Sequence, residues 1–355
     1  MSDFRIDKIT NRDGSAGTQI AGITTFSGTS GMQLPVGPTE YRGGRGRGVW
    51  AGGYGGGAPT YPELKTMDMI EIATKGNAVD FGDLTQGRYC GNMGSSSTRG
   101  LFAGGGYPGA PSPGRSQVID YVTVSSSGGA SDFGSLIRAT IKGAGFSDGI
   151  RGVFAGGYDG ASPYGMFPHI QFVNIASTGD SSDFGSLSGE YKRASMSTAS
   201  PTRGVITGMD EGNNPSTVVI KDIQYVTTAT KGDAQEFGEL TIAKDNANGV
   251  TSNGVRGIFF SGAPGPGAAK NTIDYITIAT KGNAINFGDQ ISTHNYGAAA
   301  NASNKTRGVV KSTVNNSVDL EYITIATTGN GTDFGDLTEG RKTQAAIGDA
   351  NGGIG

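Results

Sequence analysis

Thr306-Arg-Gly-Val-Val310, followed by Leu320-Glu-Tyr-Ile-Thr-Ile-Ala-Thr-Thr-Gly-Asn-Gly-Thr-Asp-Phe-Gly-Asp-Leu337, is one of six near-copies of a single unit. Its Arg-Gly pair recurs at Arg47, Arg99, Arg151, Arg203, Arg256 and Arg307, at spacings of 52, 52, 52, 53 and 51 residues. The Phe-Gly pair keeps step at Phe81, Phe133, Phe184, Phe237, Phe287 and Phe334. A fixed period of this length marks a solenoid, an array or a propeller, and it outranks any local assignment.

Each copy reads as strands and turns. A first strand, such as Leu101-Phe-Ala-Gly-Gly105, ends on a Gly-Gly doublet that stops pairing or admits another backbone. The doublet decays in the second half, to Thr207-Gly-Met209 and Lys311-Ser312. After a variable loop comes a β-branched and aromatic strand such as Ile273-Asp-Tyr-Ile-Thr-Ile278. Apolar residues on both of its faces suit a strand sandwiched between neighbouring sheets. A turn with fixed glycine follows (Lys231-Gly-Asp233, Lys281-Gly-Asn283). Gly-Asn and Gly-Asp are strong hairpin chemistry. The Asp-Phe-Gly-Asp-Leu strand is third, and a small polar segment such as Arg88–Ser97 or Lys192–Ser200 is a weaker fourth.

High Gly and Thr and the lack of a long 3.6-residue stripe speak against helix. Four short strands recurring about every 50 residues match a β-propeller of kelch-type period. The expected fold is all-β, a six-bladed propeller over residues 47–355 with blades 47–98, 99–150, 151–202, 203–255, 256–306 and 307–355. The chain reaches Gly355 as a seventh copy would begin. Ring closure by the last strands is expected, with a seventh blade drawn from the N-terminal segment as the alternative.

The 355 residues include 63 Gly but only 13 Pro, without a Gly-X-Y period, so the chain is not collagen-like. A net charge of −3 gives no strong attraction for nucleic acid or an anionic membrane. The single cysteine, Cys90, excludes an internal disulfide framework. No apolar run reaches membrane-spanning length, and the N-terminus lacks signal-peptide features. Synthesis in a cytoplasm is therefore expected.

Residues 1–46 lack the repeat. Gly, Ser and Thr dominate, with Ile20, Ile23, Phe26, Met32 and Leu34 scattered through them. The segment is too poor in apolar side chains for its own core, and the scatter favours an extended arm that orders on another surface.

No catalytic constellation emerges. Asp-Phe-Gly resembles a kinase magnesium motif, but its partner motifs are missing and such a motif does not occur once per repeat. Its expected role is structural: Phe between blades, Gly at a close approach, Asp capping a turn or meeting the repeat arginine. Those arginines are expected to tie a turn to a neighbouring blade. Arg42–Gly48 resembles an RNA-binding tract but reads better as a hinge in an acidic molecule. His169 and His294, far apart in sequence, and one Cys make no zinc set, so neither metal nor cofactor is expected. The loops after the first strand are the most individual part and should share one face of the ring. Tyr54, Tyr61, Tyr107, Tyr158, Tyr164 and Phe167 sit there among Gly, Pro and Ala. Rigid aromatics on adaptable loops suit partner or glycan recognition; packing of the loops is the competing reading.

The repeated Arg151-Gly-Val-Phe-Ala-Gly-Gly157 and Ile273-Asp-Tyr-Ile-Thr-Ile-Ala-Thr-Lys-Gly-Asn-Ala284, with Asp80-Phe-Gly-Asp-Leu84, resemble kelch-like repeat proteins of tailed bacteriophages, notably myoviruses of marine cyanobacteria. Arg5-Ile-Asp-Lys-Ile-Thr-Asn-Arg-Asp-Gly14 and Ser30-Gly-Met-Gln-Leu-Pro-Val-Gly-Pro-Thr-Glu-Tyr-Arg-Gly-Gly44 resemble the start of those proteins. The likeness spans essentially the whole chain. It departs from cellular kelch domains, which carry a Tyr and a Trp later in each blade; here Trp50 is the only tryptophan. The resemblance implies a non-enzymatic structural protein of the virion, in tail, neck or baseplate, with the arm docking it to other virion proteins in several copies on a symmetric particle. The alternatives are a receptor-binding adhesin for a host glycan or surface protein, and a capsid-decorating protein. A polysaccharide-cleaving propeller needs a positioned carboxylate pair that nothing in the sequence marks.

Overall fold

The structure, a computed structural model, describes residues 46–56, 62–89, 91–107, 114–160, 165–189, 192–212, 218–244, 249–260, 262, 270–294, 301–311 and 317–349. The arm candidates Ile20, Ile23, Phe26, Met32 and Leu34 lie outside these residues.

The repeats form a six-bladed β-propeller, and among the described residues there is no helix. Each blade is an antiparallel sheet whose strands are named a to d from the axis outward. In blade 2 they are Asn92–Ser95, Arg99–Ala103, Val118–Thr123 and Ser131–Ser135. In blade 3 they are Ala144–Ser147, Arg151–Ala155, His169–Asn174 and Ser182–Ser186. Blade 4 has Lys192–Ala199, Arg203–Glu211, Asp222–Thr227 and Gln235–Glu239. Blade 5 has Val250–Ser252, Arg256–Phe259, Lys270–Thr277 and Ile285–His294. Blade 6 has Asn301–Ser303, Arg307–Lys311, Asp319–Thr324 and Thr332–Asp336. Blade 1 combines both ends of the repeat region: Ala345–Gly348 as strand a, then Arg47–Ala51, Thr66–Glu71 and Val79–Asp83. Each sheet thus begins one strand before the Arg-Gly pair.

Ring closure is a strand pairing with Gly48 opposite Gly348 and Ala51 opposite Ala345. Asp349 Oδ1 accepts the N–H groups of Gly46 (2.9 Å) and Arg47 (2.7 Å). Asp148 gives the same cap to Arg151 (2.7 Å) within a continuous turn. At the closure, residues 302 apart do the work of a local turn.

The weak fourth segment is the innermost strand. The six a strands touch in a closed ring around the axis. Side chains there must be small because the strands converge. Where one is large, the neighbour yields: a Cβ on Gly100 would overlap Ile347, and one on Gly204 would overlap Phe146. This explains the glycine of the Arg-Gly pair. Serines bridge the a strands, Ser303 Oγ to Ser252 O (2.9 Å) and Ser147 Oγ to Ser95 O (2.6 Å) among them.

The blades are joined by backbone. Gly128 N–H donates to Phe81 O and Ala130 N–H to Asp83 O, each at 2.7 Å. The pair recurs at every joint, round to Gly76 on Phe334 (3.2 Å) and Ala78 on Asp336 (2.7 Å). The glycine of each Phe-Gly pair lies under this contact. Gly134 has φ 147°, and a Cβ there would overlap the Gly179 carbonyl of the next blade. Phe133 is buried, edge-on to Tyr121 with centroids 6.0 Å apart. The Asn or Asp after the turn glycine serves a different purpose from hairpin chemistry: it reaches across the joint. Asp180 Oδ1 accepts Ser135 N–H (2.8 Å), Asp233 accepts Ser186 N–H (2.9 Å) and Asn77 accepts Asp336 N–H (3.1 Å).

The repeat arginines tie blades together. Arg99 Nη1 donates to Ile175 O (3.1 Å) and Ala176 O (2.9 Å) of the next blade, and its guanidinium lies 4.9 Å from the Tyr121 centroid. Arg307 does the same to Ile72 and Ala73. The expected partnership with the Asp-Phe-Gly aspartate is replaced by these carbonyls, since the Asp faces solvent on strand d. Asp183 instead meets His169 Nε2 at 2.7 Å.

Between blades 1 and 2 the cross-joint acceptor is missing, because Gly129 stands where the other turns carry Asn or Asp. A Cβ there meets only the Asp83 carbonyl, at 3.5 Å. Gly129→Asn is expected to raise stability by about 0.5–1 kcal/mol. Gly134→Ala should lower it by more than about 1 kcal/mol. Urea unfolding of both variants checks the pair.

Candidate functional site

Antiparallel order sends the b–c loops and the d–a connections to the same face. In blades 1 to 3 the Gly-Gly doublet ends strand b, and the next residue pairs on two sides. Tyr54 bridges Lys342 and Glu63, Gly106 bridges Tyr89 and Arg115, and Tyr158 bridges Ile141 and Met166. The partners are the incoming d–a connection and the returning loop, so each doublet opens a short three-stranded ledge. Blade 4 has no doublet, and its strand b runs unbroken from Arg203 to Glu211. The decay of the motif is therefore a structural change, and the ledge of described residues covers blades 1 to 3.

The rings on this ledge are locked. Tyr54 stacks on Tyr89, centroids 4.2 Å apart and planes 25° apart. Tyr89 and Gly106 exchange backbone hydrogen bonds of 3.0 and 2.9 Å. The Arg115 guanidinium lies 4.9 Å from the Tyr158 centroid. Arg138 lies 4.5 Å from the Phe167 centroid and donates from Nε to Asp159 at 2.5 Å. Tyr54, Tyr107 and Tyr158 are half-buried, with an edge in reach of solvent. Phe167 is buried, so it packs the loop while Arg138 and Asp159 present the surface above it. Tyr61 and Tyr164 lie outside the described residues. Tyr89, Arg115 and Arg138 escaped the sequence reading because Tyr89 and Arg138 sit in d–a connections, and Arg115 was one polar residue in a variable loop. The signal that could have found Tyr89 is its place directly after the buried Arg88.

Buried charge holds these connections. One position of strand c, occupied by Asp68, Asp120, Gln171, Gln224, Asp274 and Glu321, accepts a backbone N–H from the preceding blade, each time from the fourth residue after the phenylalanine of the Phe-Gly pair. The donors are Thr338 (3.1 Å), Thr85 (3.1 Å), Ile137 (2.8 Å), Ser188 (2.9 Å), Thr241 (3.3 Å) and Ile291 (2.8 Å). Where the acceptor is Asp, the donor is a Thr whose hydroxyl also binds it, and a cation follows three residues later. Arg341 meets Asp68 at 2.9 Å, Arg88 meets Asp120 at 2.6 Å and Lys244 meets Asp274 at 3.3 Å. Where it is Gln, no cation is needed. Burial pulls the Arg88 and Arg341 guanidinium groups below their ordinary range, with Asp120 and Asp68 opposing it. Burial brings the Lys244 ammonium down to about 8 against the pull of Asp274. Arg88 therefore fixes the connection that carries Tyr89, and Arg341 the one whose Lys342 pairs with Tyr54.

Chemically the ledge offers rigid ring edges, guanidinium groups and main-chain polar atoms, the ingredients of a contact surface. Among the described residues, no group of three or more His, Cys, Asp or Glu is placed to hold a metal ion. No protein-family model matches the chain, and no curated protein matches it.

Arg88→Ala leaves Asp120 buried without its cation. A loss of about 3 kcal/mol or more is expected, since breaking a buried pair strands the remaining charge. Arg88→Lys should recover much of it, because Lys244 holds the same place beside Asp274. Denaturant midpoints of the two variants measure this.

Proposed function

We propose that this chain is a non-enzymatic structural protein of a tailed-phage particle. The propeller is a rigid contact head, and residues 1–46 attach it to other virion proteins in tail, neck or baseplate. The resemblance of the whole repeated unit to phage kelch-like proteins supports the particle context. The observation that carries the contact role is the locked Tyr54–Tyr89 and Arg115–Tyr158 ledge on blades 1 to 3. Six similar blades would make six similar faces, and this one departs from the repeat with ordered aromatic and guanidinium groups. Preorganised rings lose little conformational entropy on contact, and many copies on one particle multiply a weak affinity.

A second reading is favoured by the same rings: the ledge faces outward and reads a host surface glycan or protein. Aromatic edges beside guanidinium groups suit either partner.

The test is capture of the tagged full chain and the 47–355 fragment by virions lacking this protein and by host envelopes. The structural reading expects the full chain alone to join virions and neither form to hold envelopes. The adhesin reading expects the fragment to hold envelopes. In the adhesin case Tyr54→Ala with Tyr158→Ala should weaken envelope capture at least about tenfold, since aromatic anchors carry such contacts, whereas in the structural case the same variant of the full chain should still join virions through residues 1–46. A full chain that joins no virion overturns the proposal.

A further inference from the structure

Arginines tie this molecule together. Among the described residues, Arg47, Arg88, Arg99, Arg138, Arg151, Arg203, Arg256, Arg307 and Arg341 each donate to a carbonyl or a carboxylate. Arg115 is the exception. It is half-buried, its Nε–H is shielded from solvent, and among the described residues no acceptor meets its guanidinium. The group lies instead over the Tyr158 ring, 4.9 Å from the centroid. Contact with a ring uses the plane of a guanidinium and leaves its N–H edge, which matches a carboxylate with two parallel hydrogen bonds.

We propose that the ledge of blades 2 and 3 is a carboxylate-binding site, with Arg115 as its recognition residue and an acidic segment of a partner protein as its occupant. This rests on the reading of the ledge as a contact surface and names what it contacts. Local structure fixes the site. Gly106 bridges Tyr89 on one side and Arg115 on the other, so the three lie side by side across the ledge. Residues paired in this way point to the same side of a sheet. Gly106 has no side chain, and the far end of the Tyr89 ring lies in the space that a Cβ would take. The Tyr89 hydroxyl is thereby carried from its own strand to the middle one, next to the strand of Arg115. Tyr54 covers one face of the Tyr89 ring at 4.2 Å and holds it in that place.

Charge and stacking together select the occupant. The molecule is acidic as a whole, with net charge −3 and the exposed strand d acids Asp80, Asp132, Asp183 and Asp333 around its outside. General attraction therefore works against an anion, and a specific cation must hold it. The neighbouring Arg138 is already engaged by Asp159 at 2.5 Å, so the open N–H edge belongs to Arg115. A sugar acid gains much of its affinity for an aromatic ledge by laying its apolar face on a ring. Here the guanidinium lies over Tyr158, and Tyr54 covers Tyr89. An Asp or Glu side chain needs neither face: its carboxylate accepts from the edge of Arg115 and from the Tyr89 hydroxyl while the stack stays intact.

The experiment measures binding of the full chain to immobilised poly-L-glutamate and to polygalacturonate by surface plasmon resonance. Wild type should bind poly-L-glutamate at low salt and release it as salt rises. Arg115→Gln should weaken that binding at least about tenfold, and Arg115→Lys should restore only part of it, since an ammonium lacks the planar fork. Tyr89→Phe should cost less than Arg115→Gln. Lys305→Gln removes an equal charge from an exposed turn on the opposite face and should change nothing. Absence of poly-L-glutamate binding overturns the proposal, as does binding that Arg115→Gln leaves unchanged or that Lys305→Gln lowers as much. Arg115-dependent binding of polygalacturonate alone overturns the choice of a protein occupant. Should Arg115→Gln not fold, Arg115→Lys carries the test, and an unchanged affinity there overturns the site. A chain that joins virions or holds envelopes yet binds no poly-L-glutamate overturns this inference and leaves the contact-head proposal standing.

Discussion

The joint between blades is the constraint on which the rest of the ring depends. Two backbone hydrogen bonds run from each c–d turn to the outer strand of the blade before it, and they form only if the turns come very close. That proximity dictates glycine beneath the turn, a positive φ in the turn and a buried phenylalanine beside it. The Phe-Gly signature is therefore a signature of blade contact. It recurs six times because a closed ring has six joints and no end.

Burying so much backbone obliges polar groups to find partners across joints. The repeat arginines answer the last carbonyls of the neighbouring strand c while lying over its aromatic neighbour. Deeper in the joint, each strand c acid or amide receives an N–H from the previous blade, and charge is matched within the joint: Asp with Arg or Lys, Gln with none. The same clamps hold the d–a connections still, which lets half-buried rings on blades 1 to 3 keep one orientation. Local rigidity on the loop face thus comes from electrostatics buried beneath it.

Much of this was legible in the sequence. The period, the four-strand unit and the closing of the ring follow from spacing, because strands pair by register and a repeat must meet its neighbours. The Gly-Gly doublet announced the end of strand b in blades 1 to 3; its decay was visible in the sequence, but the unbroken Arg203–Glu211 strand that goes with it came only from the structure. Other features were misread in role. The turn Asn and Asp looked like local hairpin chemistry, yet their side chains act on the previous blade. The Asp-Phe-Gly aspartate was expected to cap a turn or meet the repeat arginine, yet it faces solvent and the arginine binds carbonyls instead. For Phe167 the sequence left contact and loop packing open, and its burial fits packing.

The sequence by itself determined which segments become strands, how many blades there are and where glycine is required, since periodicity and backbone sterics act within a few residues. Only the tertiary structure decided which segment lines the axis, which buried acid meets which cation, and that Tyr54 and Tyr89 stack. Those outcomes depend on convergence around an axis and on contacts between residues tens to hundreds of positions apart. Asp68 and Arg341 are 273 residues apart in the chain and become partners at 2.9 Å only because the ring closes.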